Sequence, residues 1–376
     1  MDGIDYIAAY KEHGTQNKAA EALGITRKKF RYWHDKQKEA QAFNALGLKM
    51  IDAEGAVMDG LDVKGTSRYY KLDDGGIWVK TDKEKQEQLD RFKSIAEAVV
   101  DDINPIKPVK RQSTHTKNDL LSCYVLSDYH LGMFSDHDLD GKWNTDMATE
   151  TLYRWVDYAV ENTIDSHTGV FLQLGDFFHA NDTKGVTPAS GHVLDIDVSW
   201  DDVIRIGTQA LEYALTRMLE RHDHVHFINA EANHDPDAAK WIQVFFERLF
   251  RDNPRLSVDC TSGGFYAYQW GDTALYAHHG HARGINDVSK TLTAMYPQIY
   301  GNTKHRYAHI GHFHHAKTRP MGDDGLMEVK IHKTLAAKDQ YAVTHGYMSQ
   351  RGAVTEFYHK EHGFVGSLNV TPSMLI

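Results

Sequence analysis

Short apolar runs alternate with long amphipathic stretches from about Leu120 toward the C-terminal end. The runs predict β-strands, at residues 124–126, 170–172, 225–228, 275–277 and 307–310. The stretches between the earlier runs carry apolar positions at helical spacing and predict helices near 147–165, 200–221 and 236–251. This alternation is typical of an α/β domain in which several strands run parallel.

The first 44 residues carry a different pattern, which predicts a small all-α domain. Three short helices are expected, at residues 4–12, 16–23 and 27–38. Phe30 and Trp33 lie three residues apart on the third helix, so they share its buried face. Gly24 makes the turn before that helix, and Thr26 stands where a cap is needed.

This spacing resembles a helix-turn-helix DNA-binding unit, in which the third helix enters the major groove. The small residue Ala20, the turn glycine Gly24 and the apolar plug Ile25 carry the resemblance. It implies that basic residues early in the third helix contact DNA, and these are Arg27, Lys28 and Arg31. The alternative is a small helical bundle whose basic face is only solvated.

Residues 45–116 are predicted to connect this domain to a third one, at 117–376. Residues 66–72 and 77–81 flank a turn and predict a β-hairpin, which is either a spacer or a wing that contacts DNA. Residues 83–102 predict a charged amphipathic helix.

Composition narrows the class of protein. The chain has 376 residues, more than one domain usually holds, and a formal net charge of −10. That charge argues against a uniformly basic protein but permits local basic patches. No apolar run approaches the roughly 20 residues of a membrane span, and the acidic start is unlike a secretory signal. Only Cys123 and Cys260 are present, too few for a disulfide framework, so we expect the protein to reside in a reducing cytoplasm.

Five polar fragments follow the predicted strands. They read Ser127-Asp128-Tyr129-His130-Leu131-Gly132, Gly175-Asp176, Asn233-His234-Asp235, His279-Gly280-His281 and Gly311-His312-Phe313-His314. In α/β sheets, sites form outside the carboxyl ends of the strands, where all five fragments are expected. Mn²⁺, Fe and Zn²⁺ accept such a mixture of carboxylate, imidazole and amide ligands. Two such ions about 3.5–4 Å apart suit in-line displacement at phosphorus.

In order and wording, these fragments resemble the motifs of the calcineurin-like metallophosphoesterase superfamily. The match runs from about Leu120 to His315, and Ala232 stands where the family usually has glycine. The resemblance implies a four-layered α/β/β/α sandwich. Strands near 326–334, 353–359 and 363–370 would complete its second sheet.

The resemblance also implies roles for individual residues. Two divalent ions are expected, with Mn²⁺ favoured and Fe, Zn²⁺ or Mg²⁺ as alternatives. Their ligands would be Asp128, His130, Asp176, Asn233, His279, His312 and His314. Asp176 would bridge the ions, and a hydroxide shared by them would attack phosphorus. His234 would be the catalytic acid, His281 would line the rim, and Asp235 would either orient His234 or be structural.

The segment that begins at Asp176 distinguishes between subfamilies. Asp176-Phe177-Phe178-His179 lacks the Asp-Arg-Gly of phosphoprotein phosphatases and resembles SbcD-type DNA repair nucleases. In that comparison His179 is a candidate substrate contact, with packing behind the site as the alternative. Residues 181–197 have no regular pattern in their first part, which is typical of segments that shape access to a site.

The expected function is therefore a two-metal-dependent phosphodiesterase, namely a DNA endonuclease or exonuclease with an attached DNA-binding domain. This combination resembles proteins of double-stranded DNA bacteriophages, so the cytoplasm in question would be the host's. DNA is the expected partner and a membrane is not; a second copy of the chain or a replication or repair protein are further candidates. Two alternatives stay open. One is a phosphatase or small-molecule phosphodiesterase whose N-terminal domain docks a protein, and the other is a non-catalytic DNA-binding regulator.

Overall fold

The structure is a computed structural model, and it describes most of the chain outside the connecting segments. The described residues are 4–31, 33–34, 37, 65–72, 75–82, 105–112, 117–137, 141–188, 190–320, 325–346 and 348–375. The chain divides into two units, Met1–Val99 and Val100–Ile376. The helix predicted at 83–102 lies outside the described residues. Within them, no helix is both long and apolar enough to cross a membrane.

The N-terminal unit begins with the three predicted helices, α1 (Tyr6–His13), α2 (Gln16–Ala22) and α3, which starts at 27. Local polar contacts set their ends: the Asp5 carboxylate accepts from the Ala8 amide at 2.9 Å, and Thr26 Oγ1 accepts from the Lys29 amide at 3.3 Å. Gly14 adopts the left-handed conformation that ends α1.

A small apolar core holds these helices together. Its buried members are Tyr6, Ala9, Ala19, Ala20 and Phe30, with Ile25 and Trp33 packed against them. Arg27, Lys28 and Arg31 are exposed on the same helix as Phe30. The predicted hairpin is also present, with β1 (Gly65–Leu72) paired antiparallel to β2 (Gly75–Asp82).

The larger unit contains a six-stranded sheet. Its strands are β3 (Lys117–Leu126), β6 (Ser166–Gln173), β7 (His224–Asn229), β8 (Leu256–Val258), β14 (Ala353–His359) and β15 (Gly363–Val370). Their spatial order is β15-β14-β3-β6-β7-β8. Strands β3, β6, β7 and β8 run parallel, whereas β14 and β15 run antiparallel to their neighbours. Along the chain, the three predicted helices connect successive parallel strands. They are α4 (Thr145–Asn162), α5 (Trp200–Arg221) and α6 (Pro236–Leu249).

A second sheet has five strands. They are β9 (Phe265–Trp270), β10 (Thr273–His278), β11 (His305–Ile310), β12 (Lys317–Arg319) and β13 (Glu328–Ile331), in the spatial order β12-β13-β11-β10-β9. Smaller elements complete the described unit: the hairpin β4 (Ser135–His137) and β5 (Gly141–Trp143), and the helices α7 (Val288–Met295), α8 (Pro297–Asn302) and α9 (Gln340–Thr344).

Three apolar clusters show how the elements pack. The largest joins one face of the six-stranded sheet to α4, α5 and α6, through side chains such as Trp155 and Phe246. A second contains Leu121 and Val170 from this sheet and Leu275 from the other, so the two sheets pack face to face. A third joins the five-stranded sheet to α7 and α8. The unit is thus mixed α/β and compatible with an α/β sandwich.

The prediction that β14 and β15 complete the second sheet is wrong. β14 pairs antiparallel with β3, from Val354 opposite Val125 to His359 opposite Leu120, and β15 pairs with β14. This pairing covers the edge that β3 would otherwise expose, and an uncovered edge is unfavourable. Of the three C-terminal strands, β13 alone joins the five-stranded sheet, parallel to β11.

Tight packing around Gly207 of α5 yields a stability prediction. A Cβ added there would lie 2.8 Å from Cζ of Phe178. Gly207→Ala should therefore lower the free energy of unfolding by about 1–3 kcal/mol, although alanine favours helices. Gly301→Ala in α8 is the matched control, since nothing lies within 4 Å of its added Cβ. Urea unfolding measures the free energy of unfolding of both variants. Equal values for Gly207→Ala and Gly301→Ala would contradict the tight packing around Gly207.

Candidate metal centre

The five polar fragments meet at one edge of the larger unit. Strands β3, β6 and β7 are parallel, so the turns after them fall at the same end of their sheet. Strands β10 and β11 are parallel in the second sheet and deliver the last two fragments. All seven predicted ligands are thereby brought together from segments distant in the sequence.

One group of donors contains Asp128, His130 and His314, whose ligand atoms all lie within 4.8 Å of one another. Nε2 of His314 lies 3.2 Å from Oδ1 of Asp128. Asp128 is fully buried and His130 nearly so. Their donor atoms are thus close enough to hold a metal ion.

A second group contains Asp176, His279 and His312, again with ligand atoms within 4.8 Å of one another. Nε2 of His279 lies 3.1 Å from Oδ2 of Asp176 and 3.0 Å from Oδ1 of Asn233, which adds an amide oxygen to this group. The same Nε2 is 3.9 Å from Oδ1 of Asp128. The two donor groups are therefore adjacent.

Unusual backbone conformations aim these side chains at the centre. Five of the seven predicted ligands have positive φ, between 50° and 67°, and among the described residues no other non-glycine residue does; they are Asp128, His130, Asp176, His312 and His314. Such conformations are uncommon outside glycine and concentrate at functional sites. Hydrogen bonds hold them in place: Asp128 Oδ1 accepts from the His312 amide at 2.9 Å, and Asp176 Oδ1 accepts from the His234 amide at 2.8 Å.

Small residues leave space for these turns. Gly175 has a φ of +97°, and a Cβ there would lie 2.5 Å from the Cβ of Ala232 and 2.9 Å from Nδ1 of His279. A Cβ on Gly311 would fall 2.6 Å from Oδ2 of Asp128. The alanine at 232 is therefore accommodated because its neighbour Gly175 has no side chain.

The orientation of His279 fits a metal ligand. Its Nδ1 lies 2.8 Å from the carbonyl oxygen of Leu174, so Nδ1 carries a proton and donates it there. Its Nε2 consequently faces Asp176 and Asn233, where its lone pair can coordinate a metal ion. Ligating histidines commonly donate their second ring N–H to such a group.

Electrostatics also suit a cation. Burial raises the pKa of Asp176, but the His279 ring outweighs that effect and holds the pKa well below its usual value. The pKa of Asp128 is likewise lowered, by His314 acting against burial. Burial opposes a charge on His279, yet the two carboxylates raise its pKa to about 9. Ionised carboxylates out of contact with water require positive charge beside them, and a divalent cation bound by these donors would supply it.

His234 lies half-buried beside this centre. Its Nδ1 is 2.8 Å from the carbonyl oxygen of His179, so the Nδ1 proton is donated there and Nε2 lies on the opposite side of the ring. The ring centroid of His234 is 4.6 Å from that of His130. Asp235 is buried and accepts a hydrogen bond from the Phe178 amide at 2.9 Å, which ties the second and third fragments together. The His179 carbonyl is thus the group that orients His234.

His179 is 2% exposed, and its Nδ1 lies 3.3 Å from Nδ1 of His130. It is buried beside His130 and His234, and the ring nitrogens of these three histidines also lie within 4.8 Å of one another. His281, by contrast, is exposed, and its ring centroid is 5.4 Å from that of His279. The described residues between 181 and 197 are irregular, as expected, apart from isolated bridges such as Val186 with Val193.

A cleft of about 630 Å³ opens onto the donors and was not foreseen. His130, Asp176, Asn233, His234 and His314 line its floor. One wall comes from residues 334–351, between β13 and β14. No recognised motif in the sequence marks this segment, which lies between two strands and contains the short helix α9.

The sequence matches no protein-family model. A search of curated proteins also finds no match. The functional assignment therefore depends on the residues and on the geometry described above.

Proton release on metal binding tests the arrangement around His279. Without metal, a pKa of about 9 leaves this imidazole protonated at pH 7.5, and the associated stabilisation is complete below pH 6.5 and lost as the pH rises through 9. A metal ligand must be neutral, so binding should release at least one proton at pH 7.5, the one held by His279. Calorimetric titration of metal in buffers with different ionisation enthalpies measures that number. Binding without proton release would contradict the assignment of His279.

Proposed function

We propose that this protein is a phosphodiesterase that depends on two divalent metal ions and acts on DNA. The observation that supports this most strongly is the adjacency of two donor groups, joined by the 3.9 Å approach of His279 Nε2 to Asp128 Oδ1. Paired sites of this donor composition suit displacement at phosphorus. Mn²⁺ is the favoured ion, since Mn²⁺ accepts carboxylates and imidazoles together.

The fold is proposed to be the four-layered α/β/β/α sandwich of the calcineurin-like metallophosphoesterases. The three apolar clusters support this. They pack helices against the six-stranded sheet, that sheet against the five-stranded sheet, and the five-stranded sheet against further helices. The order of the five fragments along the chain supports it as well.

The residues divide into two ligand sets. Asp128, His130 and His314 would hold one ion, Asn233, His279 and His312 the other, and Asp176 would contact both. When bound, such ions lower the pKa of water and neutralise charge on a phosphoryl group.

His234 supplies the proton transfer. The His179 carbonyl holds its Nδ1–H, and the bond from its own amide to Asp176 fixes its backbone beside the donors. Its side chain lines the cleft, so a protonated Nε2 can donate to the leaving oxygen of a phosphodiester there.

DNA as the substrate is supported by the N-terminal unit. Arg27, Lys28 and Arg31 are exposed on the helix that a helix-turn-helix places in the major groove. A small phosphodiester is the second candidate substrate, because a cleft of about 630 Å³ is of the size that holds small ligands.

Replacing His234 tests the mechanism and the substrate together. His234→Ala should retain bound metal but lose roughly 10²–10⁴-fold in turnover. The substrates are linear and circular DNA, single- and double-stranded, and a small chromogenic diester, each with Mn²⁺ or EDTA. His362→Ala is the matched control, an exposed histidine on the turn between β14 and β15.

Each outcome of this assay is informative. Metal-dependent cleavage of DNA by the wild type supports the nuclease proposal. Cleavage of the diester alone favours the small-molecule alternative, and cleavage of neither favours a non-catalytic regulator. Equal loss of metal and activity in His234→Ala would make His234 a ligand instead.

The role of the N-terminal helix is tested separately. Arg27→Ala combined with Arg31→Ala should weaken duplex binding and flatten its salt dependence, by about 0.9 in the log–log slope for each lost phosphate contact. Bound metal should stay at the wild-type level. The control is Arg251→Ala, at an exposed arginine just after α6. Unchanged affinity and slope in the double variant would favour docking to a protein.

A further inference from the structure

The cleft beside the donors exposes apolar side chains. Phe313 is 39% exposed and Met348 is 57% exposed, and both line the cleft. Single exposed apolar residues are ordinary on protein surfaces and need no explanation. Here two of them, from different segments, open onto the same cavity as the candidate metal ligands.

The backbone explains why Phe313 faces outward. It lies between His312 and His314, which have positive φ values of 67° and 54° and which belong to the two donor groups. A Cβ on Gly280 would lie 3.5 Å from the Phe313 ring, and one on Gly284 3.7 Å, so the 280–284 loop runs alongside the ring. Phe313 therefore lies between the candidate metal centre and the 280–284 loop.

Cationic side chains line the same cleft. Nε of Arg351 donates to the Leu335 carbonyl at 2.8 Å, and the guanidinium carbon lies 4.4 Å above the Trp143 ring. These contacts fix the side chain before any ligand binds. Lys338 lines the cleft as well. Cations and an exposed aromatic ring that line one cleft suit a phosphate backbone and a base together.

We propose that Phe313 and Met348 form a platform for an unpaired nucleobase, so that the cleft accepts single-stranded DNA or a frayed end. The base would stack on Phe313, its phosphodiester would lie at the donors, and Arg351 and Lys338 would contact a neighbouring phosphate. This inference rests on the proposed function and names its substrate class.

The geometry favours an unpaired base over a duplex. In a duplex the faces of the bases are covered by their neighbours, and only their edges reach the grooves. An unpaired base offers its face to an aromatic ring, and stacking of this kind is tolerant of sequence. A platform beside the reacting phosphate is therefore useful only when the base next to it is free.

Substitutions in the full-length chain test this. Phe313→Ala should lower kcat/KM for a single-stranded oligonucleotide about 5- to 150-fold more than for a small diester that lacks a base. Phe313→Trp should restore it, and Met348→Ala should act in the same direction. Phe364→Ala is the matched control, because Phe364 on β15 is similarly exposed, at 40%. Its strand neighbour Tyr358 pairs with Leu121 near the start of β3, whereas Asp128 follows the other end of β3.

A binding measurement separates this inference from the proposed function. Fluorescence anisotropy of the same oligonucleotide, with Mn²⁺ and in a His234→Ala variant whose turnover is suppressed, reports affinity. The protein in this measurement also carries Arg27→Ala and Arg31→Ala, which should reduce DNA binding by the N-terminal unit. Adding Phe313→Ala should weaken this affinity, whereas adding Phe364→Ala should not.

The outcomes are distinct. If no diester is cleaved by the wild type, the proposed function fails, while the anisotropy arm still tests the platform. If diesters are cleaved but Phe313→Ala affects oligonucleotide and base-free substrate equally, the platform is wrong. A wild type that prefers blunt duplex to single strands would also overturn it.

Discussion

Two buried carboxylates, Asp128 and Asp176, are the constraint on which the rest of this structure depends. They are 0% and 1% exposed, and neighbouring imidazoles hold the pKa of both below the usual value. Negative charge out of water is costly unless positive charge or hydrogen-bond donors surround it. The amides of His312 and His234 and the rings of His279 and His314 meet that need in part. Bound cations would complete it, and for this reason the metal assignment and the electrostatics support each other.

The cost of this arrangement falls on the backbone. Left-handed conformations at non-glycine residues cost on the order of 1–3 kcal/mol each and persist only where the surroundings hold them. Here the surroundings are two sheets that meet through an apolar layer and present their strand ends at one edge. Gly175 and Gly311 leave room for the turns that a side chain would block. The sandwich of sheets thus serves as a rigid frame for a few strained loops.

Much of this arrangement follows from local sequence, and some does not. The strands before each fragment, the helices between them and the convergence of seven donors could be predicted, because alternation and strand-end chemistry are local signals. The sheet to which β14 belongs could not, since apolar alternation shows that a strand is half-buried but not which neighbour it pairs with. The carbonyl that orients His234 and the cleft wall at 334–351 also escaped prediction. Both arise from tertiary contacts of backbone and irregular segments, which leave no periodic trace.

The central claim, that the two carboxylates organise a pair of cation sites, is tested most directly by metal stoichiometry. The protein is reconstituted with Mn²⁺, passed through gel filtration and measured by inductively coupled plasma mass spectrometry. We expect about two ions per chain, near-complete loss in Asp176→Asn, and no change in Asp252→Asn, which alters an exposed carboxylate of the same unit. No bound metal in the wild type, or two ions retained by Asp176→Asn, would contradict the account.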